Sequence, residues 1–189
     1  MDGYEQVKKK TAFMQRLQDW EHALVHRVHA ITLPPKINRF LVAFVRIGDG
    51  WGWAMVAVLL FVFLPWIRFK FIVGQALLSV AISLPAYWGF KLFFKRSRPF
   101  ISLKGISARV PPLDKYSFPS GHTMNNLAVT MTLALNFPHL WILAVTIPIA
   151  LGLLRILYGV HFLTDIAAGA LLGAMSSLGA HWLFLRFFS

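Results

Sequence analysis

The stretch Lys91–Phe100, KLFFKRSRPF, follows twenty residues, Phe71 to Phe90, that carry no charged side chain. Four cations, Lys91, Lys95, Arg96 and Arg98, then fall within ten positions. An uncharged run of that length matches the roughly 20 apolar residues a helix needs to cross the hydrocarbon core of a bilayer. The cations at its mouth have two readings. They anchor the end of a membrane span, or they receive something anionic.

Working outward, the same pattern recurs. Trp51–Ile67, Phe71–Phe94, His122–Phe137, Leu140–Leu157 and Phe162–Phe187 are each predicted as spans. PWIRFK (Pro65–Lys70) and NFPH (Asn136–His139) punctuate them, and prolines and charges make the loop from Ser97 to Ser120 irregular. The chain is 57% hydrophobic and 14% charged over 189 residues, where a soluble domain carries about 25% charged. The predicted fold is an all-α polytopic membrane helix bundle of about five transmembrane helices. Residues 1–50 form an amphipathic N-terminal region and 51–189 the transmembrane core of one domain. The N-terminal MDGYEQVKKKTAF has no apolar core of signal-peptide type, so no cleavage is expected.

In the N-terminal region Phe13, Leu17, Trp20, Leu24, Val28 and Ile31 recur every three or four residues. That spacing predicts an amphipathic helix lying in the headgroup region, or one packed on the flank of the bundle. Pro34-Pro35 ends it. The net charge of +12 does not point to nucleic acid, because no basic helix or basic strand with interleaved aromatics occurs. It fits anionic headgroups or an anionic substrate. Cysteine is absent, which removes disulfides, thiolate metal sites and a cysteine nucleophile. Only seven acids exist, four of them within the first twenty-one residues. The spans therefore offer no carboxylate pair and no cage for Mg²⁺ or Ca²⁺, and no cofactor is expected. His22, His26 and His29 share helical spacing without a partner acid, and an exposed helix face explains them better than zinc.

Two further stretches carry chemistry. In YSFPSGHT (Tyr116–Thr123), Ser120 is a favoured N-cap for the apolar run that follows. Free N–H groups in the first helical turn make an anion site, and Gly121 allows close approach. His122 projects from that turn. In RILYGVHFLTD (Arg155–Asp165), His161 and Asp165 stand four apart, one above the other if both are helical. A carboxylate there accepts Nδ1–H and leaves Nε2 free as a nucleophile. Asp165 also opens an apolar span, where an ionisable group defaults to function. Alternating spans bring the Lys91–Pro99 stretch, Ser120–His122 and Arg155–Asp165 to one side of the membrane.

Taken together, these motifs resemble the type-2 phosphatidic acid phosphatases, which share a core with vanadium haloperoxidases and glucose-6-phosphatase. The family's Lys, six residues, Arg-Pro appears as Lys91 to Arg98-Pro99. Its Pro-Ser-Gly-His appears as Pro119 to His122. Its Ser-Arg, five residues, His, three residues, Asp appears as Arg155, His161 and Asp165, with Leu154 in place of Ser. The resemblance covers residues from about 50 to the end. It implies that His161 attacks phosphorus and becomes phosphohistidine, that Asp165 orients it, and that His122 protonates the departing oxygen. It implies that Lys91, Arg98 and Arg155, with Ser120 and the Gly121 N–H, hold the phosphate, without a metal. Lys95 and Arg96 match no motif position and are expected to be headgroup anchors.

The resemblance further implies a small bacterial enzyme acting on phosphatidate, phosphatidylglycerophosphate or undecaprenyl diphosphate, hydrolysing a phosphomonoester or diphosphate lipid. A lipid transporter or flippase-like protein with an anion site is the alternative class. Gly169 and Gly173, in GALLG, make a small-xxx-small pair for a homodimer or for packing inside the bundle. The expected location is the cell (inner) membrane. Setting aside Lys91, Arg98 and Arg155, thirteen of the remaining sixteen Lys and Arg lie on the motif side if residues 1–50 do not cross. That count favours a cytoplasmic site, whereas family habit favours the outer face.

Overall fold

The computed structural model describes residues 2–188, with side chains from Ala12 onward. In chain order the helices are α1 (Asp2–His29), α2 (Pro35–Arg46), α3 (Gly52–Phe63), α4 (Trp66–Phe94), α5 (Pro99–Ser102), α6 (Gly121–Asn136), α7 (Trp141–Leu157) and α8 (Leu163–Phe188). A wide π-turn, Ile47–Trp51, joins α2 to α3. The all-helical prediction holds, and the protein is a multi-pass membrane protein. Among the described residues, four stretches are long and apolar enough to cross a bilayer: Pro35–Phe63, Trp66–Ser102, Pro138–Leu157 and Leu163–Phe188.

Two spans differ from their predicted form. The helical stretch leading into the first begins upstream of Trp51, because Pro35 opens a helix at its first position, where the missing N–H costs nothing. The two halves meet at Gly50, whose φ of 132° kinks the chain and is open mainly to glycine. Tyr158 Oη donates to Asn38 Oδ1 at 3.2 Å, so α2 stays at the motif end while α3 descends. The predicted third span, now α6, has 16 residues, or about 24 Å of helix, and is not among the four apolar stretches. It sits in the middle of the bundle against α4, α7 and α8. Shielded from lipid, it buries Thr123, Asn126, Thr130 and Thr132, whose side chains bond neighbouring carbonyls or cap groups.

Glycines set the close packing around α6. A Cβ on Gly169 would lie 2.4 Å from the Ser120 carbonyl oxygen, and one on Gly173 would lie 2.4 Å from that of Met124. At Gly169 and Gly173 the small-residue face of α8 thus packs against α6 of the same chain.

On the N-terminal helix only the edge of the apolar stripe, at Val28, packs on the bundle's apolar clusters. Phe13 (65%), Trp20 (51%) and Ile31 (50%) are exposed. The face packed on the bundle is Glu21, Val25 and His29, one turn apart. Val25 joins Ile106, Ile156, Phe162 and Ile166 in an apolar cluster, so α1 does pack on the flank of the bundle. His29 is a structural histidine: Ser107 N donates to its Nε2 at 3.3 Å, and its Nδ1 donates to Leu157 O at 3.0 Å.

Candidate active site

The three motifs converge at one end of the bundle. Lys95 ends α4 in the left-handed conformation (φ 45°) and turns the chain so that Arg96, Ser97 and Arg98 run back across the bundle end. Gly159, at φ 71°, turns the chain between α7 and α8. Ser120 caps α6 as predicted, its Oγ accepting from Thr123 Oγ1 at 3.2 Å and Thr123 N at 3.5 Å. Ser120 N donates to Asp165 O at 2.9 Å, stitching the second motif to the third.

His161 and Asp165 meet, but not on one helix. Helix α8 starts at Leu163, so His161 lies in the preceding turn. Asp165 is instead the N3 acid of a capping arrangement: its Oδ2 accepts from Phe162 N at 2.8 Å. The same oxygen faces His161 Nδ1 at 3.3 Å. Arg98 Nη1 lies 3.2 Å from His161 Nε2. A guanidinium only donates, so Nε2 is the acceptor and Nδ1 carries the proton toward Asp165. Burial, helped by Arg98 and Arg155 and opposed by Asp165, lowers the His161 pKa to about 4, so the ring is neutral at neutral pH.

A cavity of about 330 Å³ opens beside Nε2. His122, His161, Arg98, Arg155 and Gly121 line it, together with Asp49 and Asp114. Ser120 and Asp165 are buried beneath this wall. Lys91 is also buried, behind Asp114, donating to Asp114 Oδ1 at 2.7 Å and to Tyr116 O at 2.6 Å. The cavity continues past Trp53, Leu77, Val80 and Val129 into an apolar groove that reaches Leu60, Ile72 and Leu133 between α3, α4 and α6.

Sequence reasoning missed two carboxylates in this wall. Asp49 Oδ1 accepts from Arg155 Nη2 at 2.8 Å and contacts His122 Nε2. Asp114 Oδ1 accepts from Lys91 and from Arg98 Nη2 at 2.9 Å, while its Oδ2 accepts from Tyr87 Oη at 2.6 Å. Burial alone raises the Asp114 carboxyl, but hydrogen bonds from Lys91 and Tyr87 and the charges of Lys91 and Arg98 hold it below the usual range. The cation cluster is thus paired with acids. Arg155 Nε, however, is buried with no hydrogen-bond partner among the described residues, an unmet donor at a cavity wall. The signal for Asp49 was its place in IGDG, a charged break inside an apolar run.

Arg96 is not a headgroup anchor. Its guanidinium reaches Asp165, Thr164 and Glu21. Lys95, by contrast, is exposed. Leu154, the departure from the family pattern, packs on the apolar cluster of Val45, Val110 and Tyr158.

Fold and site define a class: a multi-pass helical membrane protein with a histidine- and arginine-lined cavity at one end of its bundle, joined to an apolar groove. The comparisons specify it further. The sequence profile of the PAP2 superfamily matches residues 72–189, and the chain belongs to that superfamily. It is 34% identical over 85 residues to the Bacitracin transport permease protein BcrC of Bacillus licheniformis, covering 45% of this chain and 42% of that one. It is 29% identical over 142 residues to the undecaprenyl-diphosphatase of Sulfolobus acidocaldarius, covering 75% and 68%. The crystal structure of Aquifex aeolicus LpxE superposes with a TM-score of 0.71 at 26% identity, covering 85% of this chain and 93% of that one.

Proposed function

We propose that the protein is a membrane lipid phosphatase that hydrolyses a lipid diphosphate or phosphomonoester through a phosphohistidine at His161. The observation that carries this is the state of His161: Nδ1 held by Asp165, Nε2 unprotonated at the cavity wall with Arg98 as its donor, the ring neutral. Nε2 attacks phosphorus and the bond to the leaving oxygen breaks. His122, which lines the same cavity and enters as an imidazolium stabilised by Asp49, donates the proton that oxygen needs. A water that has given its proton to His122 then attacks the phosphohistidine, releasing phosphate and restoring Nε2. Arg98, Arg155 and the Gly121 N–H stabilise charge on the transferring oxygens. Lys91 and Ser120 support them from behind, through Asp114 and the α6 cap.

The reaction needs no metal on this reading. The site acids are already ion-paired, Asp49 with Arg155, Asp114 with Lys91 and Arg98, and Asp165 with Arg96. The arginines supply the charge a divalent ion would bring.

The groove between α3, α4 and α6 suits one long apolar chain, and the undecaprenyl-diphosphatase relative supports a prenyl diphosphate as substrate. Transport is disfavoured because an apolar groove gives a charged headgroup no partner along the way. The excess of Lys and Arg at the motif end favours the cytoplasmic face of the inner membrane. The experiment is phosphate release by purified protein from undecaprenyl diphosphate, phosphatidate and phosphatidylglycerophosphate. Turnover that disappears in His161→Ala is expected. Turnover of none of the three by the wild type overturns the reading.

A further inference from the structure

The charged network below the cavity extends beyond the motifs. Arg96 Nη1 donates to Asp165 Oδ1 at 2.8 Å and to Thr164 Oγ1 at 2.7 Å, and Arg96 Nη2 donates to Glu21 Oε2 at 2.7 Å. Glu21 Oε1 accepts from Thr164 N at 2.7 Å, meeting a free N–H in the first turn of α8. The guanidinium also lies over the Phe162 ring, 4.0 Å from its centroid, and His22 packs on the ring at 5.5 Å. Glu21 is 2% exposed and Asp165 fully buried. Glu21 belongs to α1, outside residues 72–189 that the family profile matches. A surface helix held only by apolar contact would have no need to bury a glutamate against the start of α8, since burying a charge costs energy unless it is paired and bonded.

We infer that Arg96 and Glu21 are positioning residues for phosphoryl transfer, and that α1 is part of the catalytic unit through them. Arg96 fixes the plane of the Asp165 carboxylate and offsets part of its negative charge. Glu21 fixes Arg96 and the first turn of α8 together. The inference rests on the phosphohistidine reading of His161.

The charge effect has a definite sign. His161 must be unprotonated to attack. Arg98 and Arg155 hold its pKa down and Asp165 pushes it up. Lys91 and Arg96 both interact with Asp165, and Glu21 faces Arg96 from α1. Removing the Arg96 charge leaves Asp165 less compensated, which raises the His161 pKa. The acid limb of kcat/KM then moves to higher pH. A purely structural loss leaves that limb where it was.

The test measures kcat, KM and the pH profile with farnesyl diphosphate and dioctanoyl phosphatidate in detergent micelles, for the full-length wild type, Arg96→Gln, Arg96→Lys, Glu21→Gln, the double variant Glu21→Gln/Arg96→Gln and the neighbouring control Lys95→Gln. Arg96→Gln should lower kcat by roughly 10- to 100-fold, the range for partners one shell out from a reacting group. Its KM should stay within about threefold, since substrate binding is untouched, and its acid limb should move up. Glu21→Gln should act in the same direction with a smaller loss, and the double variant should lose less than the product of the two. Arg96→Lys should fall between, because an ammonium cannot bridge Asp165, Thr164 and Glu21 in one plane. If Arg96→Gln does not fold, Glu21→Gln and Arg96→Lys carry the same comparison. Wild-type kcat in these variants, or lost kcat with an unmoved acid limb, overturns the inference while leaving the phosphatase reading intact. Failure of that reading shows separately, as a wild type inactive on both lipids or a His161→Ala that still turns over.

Discussion

Asp165→Asn preserves side-chain size and removes one acceptor. Both oxygens of Asp165 are committed, Oδ1 to Arg96 at 2.8 Å, Oδ2 to Phe162 N at 2.8 Å and to His161 Nδ1 at 3.3 Å. An amide offers one acceptor oxygen and one NH₂ donor. With NH₂ at the Oδ1 position, donor meets donor at Arg96. With NH₂ at the Oδ2 position, it meets the Phe162 N–H and drives His161 to the tautomer protonated on Nε2. That proton would point at Arg98 Nη1, 3.2 Å away, and no lone pair would remain for attack. Either orientation leaves a buried donor unsatisfied, at about 1–3 kcal/mol. The loss of negative charge beside the phosphorylated imidazole adds to the barrier. The combined expectation is a fall in kcat on the order of 10² to 10⁴, or about 3–5 kcal/mol. The assay is phosphate release at saturating lipid in detergent micelles, with thermal unfolding checked in parallel. A folded Asp165→Asn that keeps more than about a tenth of wild-type kcat, a barrier change near 1.4 kcal/mol, would refute the reasoning.

Activity should survive excess EDTA, and vanadate, a five-coordinate phosphorus mimic, should inhibit it competitively; strict dependence on added Mg²⁺ would sink the metal-free account. Gly169→Ala should lower the unfolding temperature: the new Cβ meets the Ser120 carbonyl at 2.4 Å, a backbone atom that cannot swing away. Overpacking costs about 1–3 kcal/mol, more than the roughly 0.5–1 kcal/mol gained in helix propensity, so an unchanged or higher midpoint would contradict the α6–α8 packing. Ser107 is exposed at the motif end, and Ser107→Cys should resist a membrane-impermeant maleimide in intact cells if the site is cytoplasmic. Labelling without permeabilisation would show that the charge bias misleads here.

What the sequence made legible was local. Apolar runs marked α4, α7 and α8 to within a few residues, and the N-cap role of Ser120 followed from its own side chain. The pairing of the cations was not legible. Arg155 finds Asp49 across 106 positions and Lys91 finds Asp114 across 23, distances that only the packed bundle closes. The approach of His161 to Asp165 was foreseen from spacing, yet it comes from a capping turn and not from a shared helix face. For α1 the apolar stripe did not tell which face the bundle takes: it takes the face bearing Glu21 and His29, whose polar groups have partners there, and leaves Phe13 and Trp20 outside. The anchor reading of Arg96 failed for a related reason: spacing says where a charge lies along the chain, not which buried carboxylate it meets.

The most direct test of the central claim is to trap the covalent intermediate. Purified protein is mixed with lipid labelled with ³²P in its terminal phosphate, quenched in alkaline denaturant within the first turnovers, and mapped by peptide mass spectrometry. The account predicts label on the peptide carrying His161, stable to base, lost in acid, and absent from His161→Ala. Turnover without label on that peptide, or label that persists in His161→Ala, would contradict it.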